Sequence, residues 1–215
     1  MTFSIVGRCA RTGMFGLVVT TSSPAVGSRC GFAAAGIGAA LTQNRTDPRL
    51  GPLAIDLLTR GYEAQRTLDA IVAATPYHQW RQLACIDRNG RTAAFTGASV
   101  KPERNEAHGV DCVSIANIVR SADIPAQMVR AFEANPADPL PVRLLDALEA
   151  GERGGSEFVA LVSAALLVVH EQSFPYVDLR IDSDPDPIAR LRRLWLEYEP
   201  MADLYVTRAI DPDSL

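Results

Sequence analysis

The sequence predicts an α+β domain whose sheets are mostly antiparallel. Strand-like segments arrive in adjacent pairs joined by turn chemistry, most helical segments arrive in pairs of their own, and hairpins rather than strand–helix–strand crossovers dominate. The 215 residues suit one compact domain, 1–215, with no internal repeat and no linker to divide it.

The elements follow in order. Residues 2–8 alternate Phe3 and Ile5 with Ser4 and Val6, Arg11-Thr12-Gly13 supplies a turn, and residues 14–21 are rich in Val, Leu and Thr. This is most simply a β-hairpin. Residues 25–40 are small, apolar and glycine-rich, which permits close backbone approach. Two short strands are expected there, near 29–34 and 37–42, although periodicity leaves a helix open. Residues 51–60 put Leu53, Leu57 and Leu58 on one helical face and stop at Gly61, and residues 64–74 repeat the pattern with Leu68, Ile71 and Val72.

Residues 82–87 and 92–96 flank Arg88-Asn89-Gly90-Arg91, where Asn-Gly is a strong hairpin signal. Residues 101–109 read as an irregular polar loop and 110–117 as a strand. Two helices follow, one presenting Met128, Val129 and Phe132, the other Val142, Leu144, Leu145 and Leu148. Strands at about 162–169 and 176–182 precede a helix over 187–198, whose Ile188, Leu191, Leu194, Trp195 and Tyr198 recur at helical spacing. The tail to Leu215 reads as frayed or as a subunit contact, and the apolar Leu204 and Tyr205 point to a homo-oligomer.

Composition narrows the function classes. With 47% hydrophobic and 21% charged residues the chain is not disordered, and a net charge of −4 supplies no basic face for nucleic acid. The four cysteines (Cys9, Cys30, Cys85, Cys112) lie in apolar runs without a CxxC pair, so reduced, buried thiols are expected. The three histidines (His78, His108, His170) are isolated from one another and from the cysteines, so neither metal nor cofactor is expected. The longest apolar run, 158–169, is too short to span a bilayer, and no secretory signal opens the chain. The expected setting is cytoplasmic, without a membrane partner, and with a small molecule as substrate.

Position 2 carries the chemistry. An initiator methionine is commonly removed when the next residue is small, and Thr2 then bears both a hydroxyl and a free α-amine. An α-amine has an unperturbed pKa of about 7.7–8.0, which makes it a base near neutrality. A hydroxyl alone is a weak nucleophile, and a base on the same residue activates it.

Short blocks along nearly the whole chain resemble an uncharacterised bacterial and archaeal family, catalogued as a domain of unknown function within the N-terminal-nucleophile (Ntn) hydrolase superfamily. They begin with Thr2-Phe-Ser-Ile-Val-Gly-Arg8, Gly16-Leu-Val-Val19, Ala35-Gly-Ile-Gly38 and Thr42-Gln43. They continue through Gly51-Pro52, Ala93-Ala-Phe-Thr-Gly97, Asn117-Ile118, Ser163-Ala-Ala-Leu-Leu-Val-Val169 and Asp178-Leu-Arg-Ile-Asp182. The resemblance implies a four-layer αββα sandwich, Thr2 as nucleophile, hydrolysis of an amide-type bond, and no internal autoproteolysis. Two departures stand out. Relatives often carry a basic, glycine-bearing stretch where this chain has the apolar Glu157-Phe-Val-Ala-Leu-Val162, and Asn-Pro where it has Asp47-Pro48.

A nucleophile at Thr2 needs partners for its amine and donors for an oxyanion. Thr21, with Ser22 and Ser23, closes the second strand beside the first, so a hydroxyl there is placed to face Thr2. Asn117 ends the strand over 110–117 and offers an oxyanion donor. Gln43 and Asn44 follow a buried strand and are candidates to orient substrate, while Arg8 and Arg45 are candidates to grip a substrate carboxylate. His108 is a weaker acid–base candidate. Two rival readings are a non-catalytic small-molecule-binding module, favoured by the apolar 157–162 stretch, and a cysteine hydrolase using Cys9 or Cys30, for which no histidine is placed.

Overall fold

The computed structural model describes residues 1–214. Among these residues, ten strands form two antiparallel sheets. The larger runs β10-β9-β2-β1-β8-β7, from β1 (Thr2–Arg8), β2 (Phe15–Thr21), β7 (Arg104–Gly109), β8 (Cys112–Asn117), β9 (Ser163–Val169) and β10 (Val177–Ile181). The smaller runs β3-β4-β5-β6, from β3 (Gly31–Ala34), β4 (Gly38–Gln43), β5 (Gln82–Asp87) and β6 (Thr92–Thr96).

Three apolar layers account for the stacking. Phe3, Ile5 and Val18 point from the larger sheet into a core shared with α3 (Ile124–Ala134), α4 (Leu140–Arg153) and α5 (Pro187–Tyr198). Val6, Leu17 and Val19 point the other way and meet Ala39, Leu41, Ala84 and Ile86 between the sheets. Ala40, Leu83 and Cys85, on the far face of the smaller sheet, are covered by α1 (Leu50–Thr59) and α2 (Ala64–Ala74). The period-2 alternation legible in residues 2–8 thus becomes two buried faces, as a strand between layers requires. All four cysteines are free and buried.

Two segments depart from the sequence reading. Residues 101–109 hold a strand, β7, whose charged, half-exposed side chains hide it from hydrophobic periodicity; it is an edge strand, and edges tolerate polar residues because only one side is paired. Its hairpin with β8 turns at Val110 and Asp111 (φ 56°), so β8 begins at Cys112 rather than at 110. The tail forms a further helix, α6 (Ala202–Ile210), whose Tyr205 packs 5.5 Å from Tyr198. Among the described residues, no helix is long and apolar enough to cross a membrane.

Candidate active site

β1 runs between β2 and β8, and Thr2 stands where these strands finish together. Thr2 lies opposite Asn117 of β8, and pairing of Phe3 with Thr20 brings Thr21 of β2 alongside it. Thr2 is only 6% exposed. Its hydroxyl oxygen is 3.3 Å from that of Thr21, and both hydroxyls donate to the Met1 carbonyl oxygen. With Met1 attached, the Thr2 nitrogen is an amide without basicity. Loss of Met1 frees both hydroxyls and turns that nitrogen into an amine.

A cavity of about 270 Å³ opens over this point, and Thr2, Thr21, Ser23, Arg29, Asn44 and Arg45 are among its walls. Among the described residues, no acidic side chain lines it. Arg29, which sequence reasoning did not single out, is fixed by bonds from Nη1 to the Pro24 and Ala25 carbonyls (2.6 and 2.7 Å) and from Nη2 to Ser23 Oγ (2.7 Å). Carbonyl and hydroxyl partners orient a guanidinium without neutralising it. Across the cavity Arg45 lies over the Trp80 ring, 4.1 Å from its centre. Asn44 and Arg45 both adopt left-handed backbone (φ 53° and 46°), a costly conformation for non-glycine residues that needs support from its surroundings. That support comes from Asn44 Nδ2 donating to the Trp80 carbonyl (2.7 Å) and from Arg81 Nη1 donating to the Arg45 carbonyl.

Asp47 completes this wall. Its carboxylate receives Arg49 Nε and Nη2 at 2.9 and 2.8 Å and lies 3.7 Å from Arg81. The Arg49 guanidinium holds the Asp47 carboxyl below the usual carboxylate range, ahead of the opposing effect of burial. Asp47 therefore anchors, through Arg81, the loop that carries Arg45.

Beneath the site lies a buried polar network between the sheets. Gln82 Oε1 accepts from Gln43 Nε2 (2.8 Å) and Asn117 Nδ2 (3.0 Å), while Gln82 Nε2 donates to the Ala116 carbonyl (3.0 Å) and Thr96 Oγ1 (3.2 Å). Ser4 Oγ donates to Gln43 Oε1 at 2.8 Å. Gln43, Gln82 and Asn117 are fully buried. Gln43 thus holds the sheets together below the cavity rather than meeting substrate. Asn117 spends an N–H on Gln82, and its Oδ1 is a buried acceptor without a partner among the described residues. That free oxygen suits an amine donor.

Other candidates lie elsewhere. Arg8 sits at the opposite end of β1, roughly 20 Å from Thr2 at about 3.3 Å per residue, and pairs with Asp111 at 3.2 Å. It borders a different cavity, of about 580 Å³, together with Cys9 and Arg143. There burial pushes the Cys9 thiol up, but hydrogen bonds from Thr12 and the nearby Arg11 bring it below its ordinary value. His108 is exposed on β7 and bonds Thr92 Oγ1 at 2.8 Å. Cys30 does reach the Thr2 cavity, but burial pushes its thiol pKa up and its near polar neighbour is Thr46 Oγ1 at 3.7 Å, so it remains a thiol.

Glu157 is the residue the sequence misplaced. It opens a stretch read as apolar, yet it is 2% exposed and accepts the Ser22 backbone N–H at 3.1 Å, while Phe158 and Val159 face outward. Arg120 fixes this segment by donating from Nε to the Glu157 carbonyl (2.8 Å) and from Nη2 to the Phe158 carbonyl (3.1 Å).

The fold and site define an α+β protein of two stacked antiparallel sheets with a threonine-floored cavity at the end of a central strand. Residues 2–191 match a family described as a family of unknown function, DUF1028, and the chain belongs to that family. It is similar to the crystal structure of protein SPO2555 from Silicibacter pomeroyi, of the same family, with 29% identity, TM-score 0.86, and coverage of 92% of this chain and 85% of that one. A second solved structure, Anbu (ancestral beta-subunit) from Yersinia bercovieri, aligns at 12% identity and TM-score 0.40 over 95% of this chain and 96% of that one. None of the curated proteins matches the chain.

Proposed function

We propose that this protein is an Ntn hydrolase that cleaves an amide-type C–N bond of a small amide, cyclic amide or ureido compound through Thr2. The observation that carries the reading is the placing of Thr2. Its hydroxyl and its α-nitrogen sit together at the floor of a cavity, beside the Thr21 hydroxyl. In the processed chain the α-amine takes the proton from the Thr2 hydroxyl as Oγ1 attacks the substrate carbonyl carbon. The C–N bond then breaks, the leaving nitrogen takes that proton, and an ester remains on Thr2. Water attacks the ester, giving up a proton to the amine, and the acid product leaves with Thr2 restored. Thr21 already donates to a carbonyl oxygen at this spot, that of Met1, and the same donor serves a substrate carbonyl.

Arg29 and Arg45, with no acid in the cavity wall, favour a substrate that also bears a carboxylate. Assembly of copies through α6, whose Tyr205 and Ile210 stay exposed, belongs to the same proposal.

The test is a panel of small amides, cyclic amides and ureido compounds, each with and without a carboxylate. Wild type is expected to turn over a carboxylate-bearing member, and Thr2→Ala to lose turnover with an unchanged thermal midpoint. Arg45→Ala is expected to raise KM for that member about tenfold, the loss of one charge-assisted contact. Undiminished turnover by Thr2→Ala refutes the reading.

A further inference from the structure

Glu157 closes the end of the slot in which β1 begins. On one side its backbone bridges to Val119, two residues beyond the end of β8, and on the other its Oε2 accepts from Ser22, the residue after β2. β8 and β2 are the two neighbours of β1. A residue tied to both extensions, by its backbone on one side and its carboxylate on the other, stands across the place where β1 starts, so the amino terminus of the chain faces it. The carboxylate has one oxygen in use: Oε1 is buried and has no partner among the described residues. A buried, half-satisfied carboxylate is costly unless a donor reaches it. The terminal amine, here that of Met1, lies near enough to interact electrostatically with this carboxylate without bonding to it.

We propose that Glu157 is the positioning residue for the α-amine of Thr2, its Oε1 accepting from that amine and holding it beside the Thr2 hydroxyl. The inference rests on the reading of Thr2 as an amine-activated nucleophile, and extends it to a residue outside the cavity wall.

In the chain that still carries Met1, Glu157 and the terminal amine already influence each other. Burial pushes Glu157 up to about 7, with the Ser22 bond and then the positive terminus opposing it. Burial likewise pushes the terminal amine of Met1 below its ordinary value, and Glu157 is the first group that pulls it back. The remaining groups facing the amine are Cys30, a neutral thiol, and Lys101, whose charge depresses the amine further. Without the carboxylate, burial and Lys101 act unopposed, and the amine holds its proton less tightly.

The experiment needs no substrate. A chain cleaved to begin at Thr2 is titrated by competitive acetylation with trace acetic anhydride, with modification of the terminal amine read by mass spectrometry from pH 5 to pH 10. Glu157→Gln is expected to lower the amine pKa by about one unit, the scale of one nearby opposite charge, and Glu157→Asp to restore part of it. The same variant tests the linkage. A carboxyl whose folded pKa is raised is protonated in the folded chain and ionised in the unfolded one, so stability falls as pH rises from about 4.3 to about 7. Glu157→Gln flattens that dependence. Superimposable amine titrations in wild type and Glu157→Gln, with both chains folded by circular dichroism, overturn the proposal. Failure here together with loss of turnover in Thr2→Ala discards Glu157 alone; a shifted titration without Thr2-dependent turnover discards the hydrolase reading alone.

Discussion

An extension ahead of Thr2 is expected to abolish turnover. A chain carrying even one extra residue has an amide where the mechanism needs a base, and general-base assistance is worth about 10²–10⁴-fold. The extension also supplies a carbonyl oxygen that competes for the hydroxyls of Thr2 and Thr21, as Met1 does in this structure. The combined loss should reach about 10³-fold or more, and protease removal of the extension should restore activity in the same sample. The comparison is a rate measurement before and after cleavage, with the thermal midpoint as control for folding. Equal rates would mean that the α-nitrogen takes no part.

Gln82→Leu is expected to destabilise the fold more than any substitution in the cavity wall. The replacement is close in size, so packing changes little. Gln43 Nε2 and Asn117 Nδ2 both lose their Gln82 acceptor, and the Ala116 carbonyl loses a donor, all where water does not reach. Each orphaned buried group costs about 1–3 kcal/mol, and because Gln43 Nε2 keeps the Ile115 carbonyl at 3.4 Å the total falls at the lower end of their sum, about 3–5 kcal/mol. That is a large share of a typical stability of about 5–15 kcal/mol. For a domain this size it corresponds to a fall in Tm of roughly 6–20 °C. Urea unfolding with an unchanged slope and a lowered midpoint would bear this out, and a loss under about 1 kcal/mol would show that the network is dispensable.

Much of the fold was legible because it is built on local pattern. Phe3 and Ile5 against Ser4 and Val6, the Asn89-Gly90 turn, and the Leu68–Ile71 face each announce their element within a few residues. β7 and α6 were not legible, since an edge strand of half-exposed polar residues and a helix with Ala202 as its buried residue carry little hydrophobic periodicity. The site divides in the same way. Thr2, Thr21 and the Asn44–Arg45 turn sit at strand ends that sequence can locate. Glu157 is held beside the start of β1 by a bridge to Val119 and a bond to Ser22, contacts 38 and 135 residues away along the chain. Arg8 fails for the complementary reason: it shares a strand with Thr2, but its end of that strand faces a different cavity. Gln43 is polar for the sake of the core, and a buried amide network looks the same in sequence as a binding site.

The intact mass of the protein purified from its native host tests the central claim most directly. A mass short by the initiator methionine is the predicted result, since it leaves Thr2 with a free amine at the cavity floor. A mass that retains Met1 in every molecule would contradict it, because the nucleophile would be capped and a cavity that binds without cutting would be the better account.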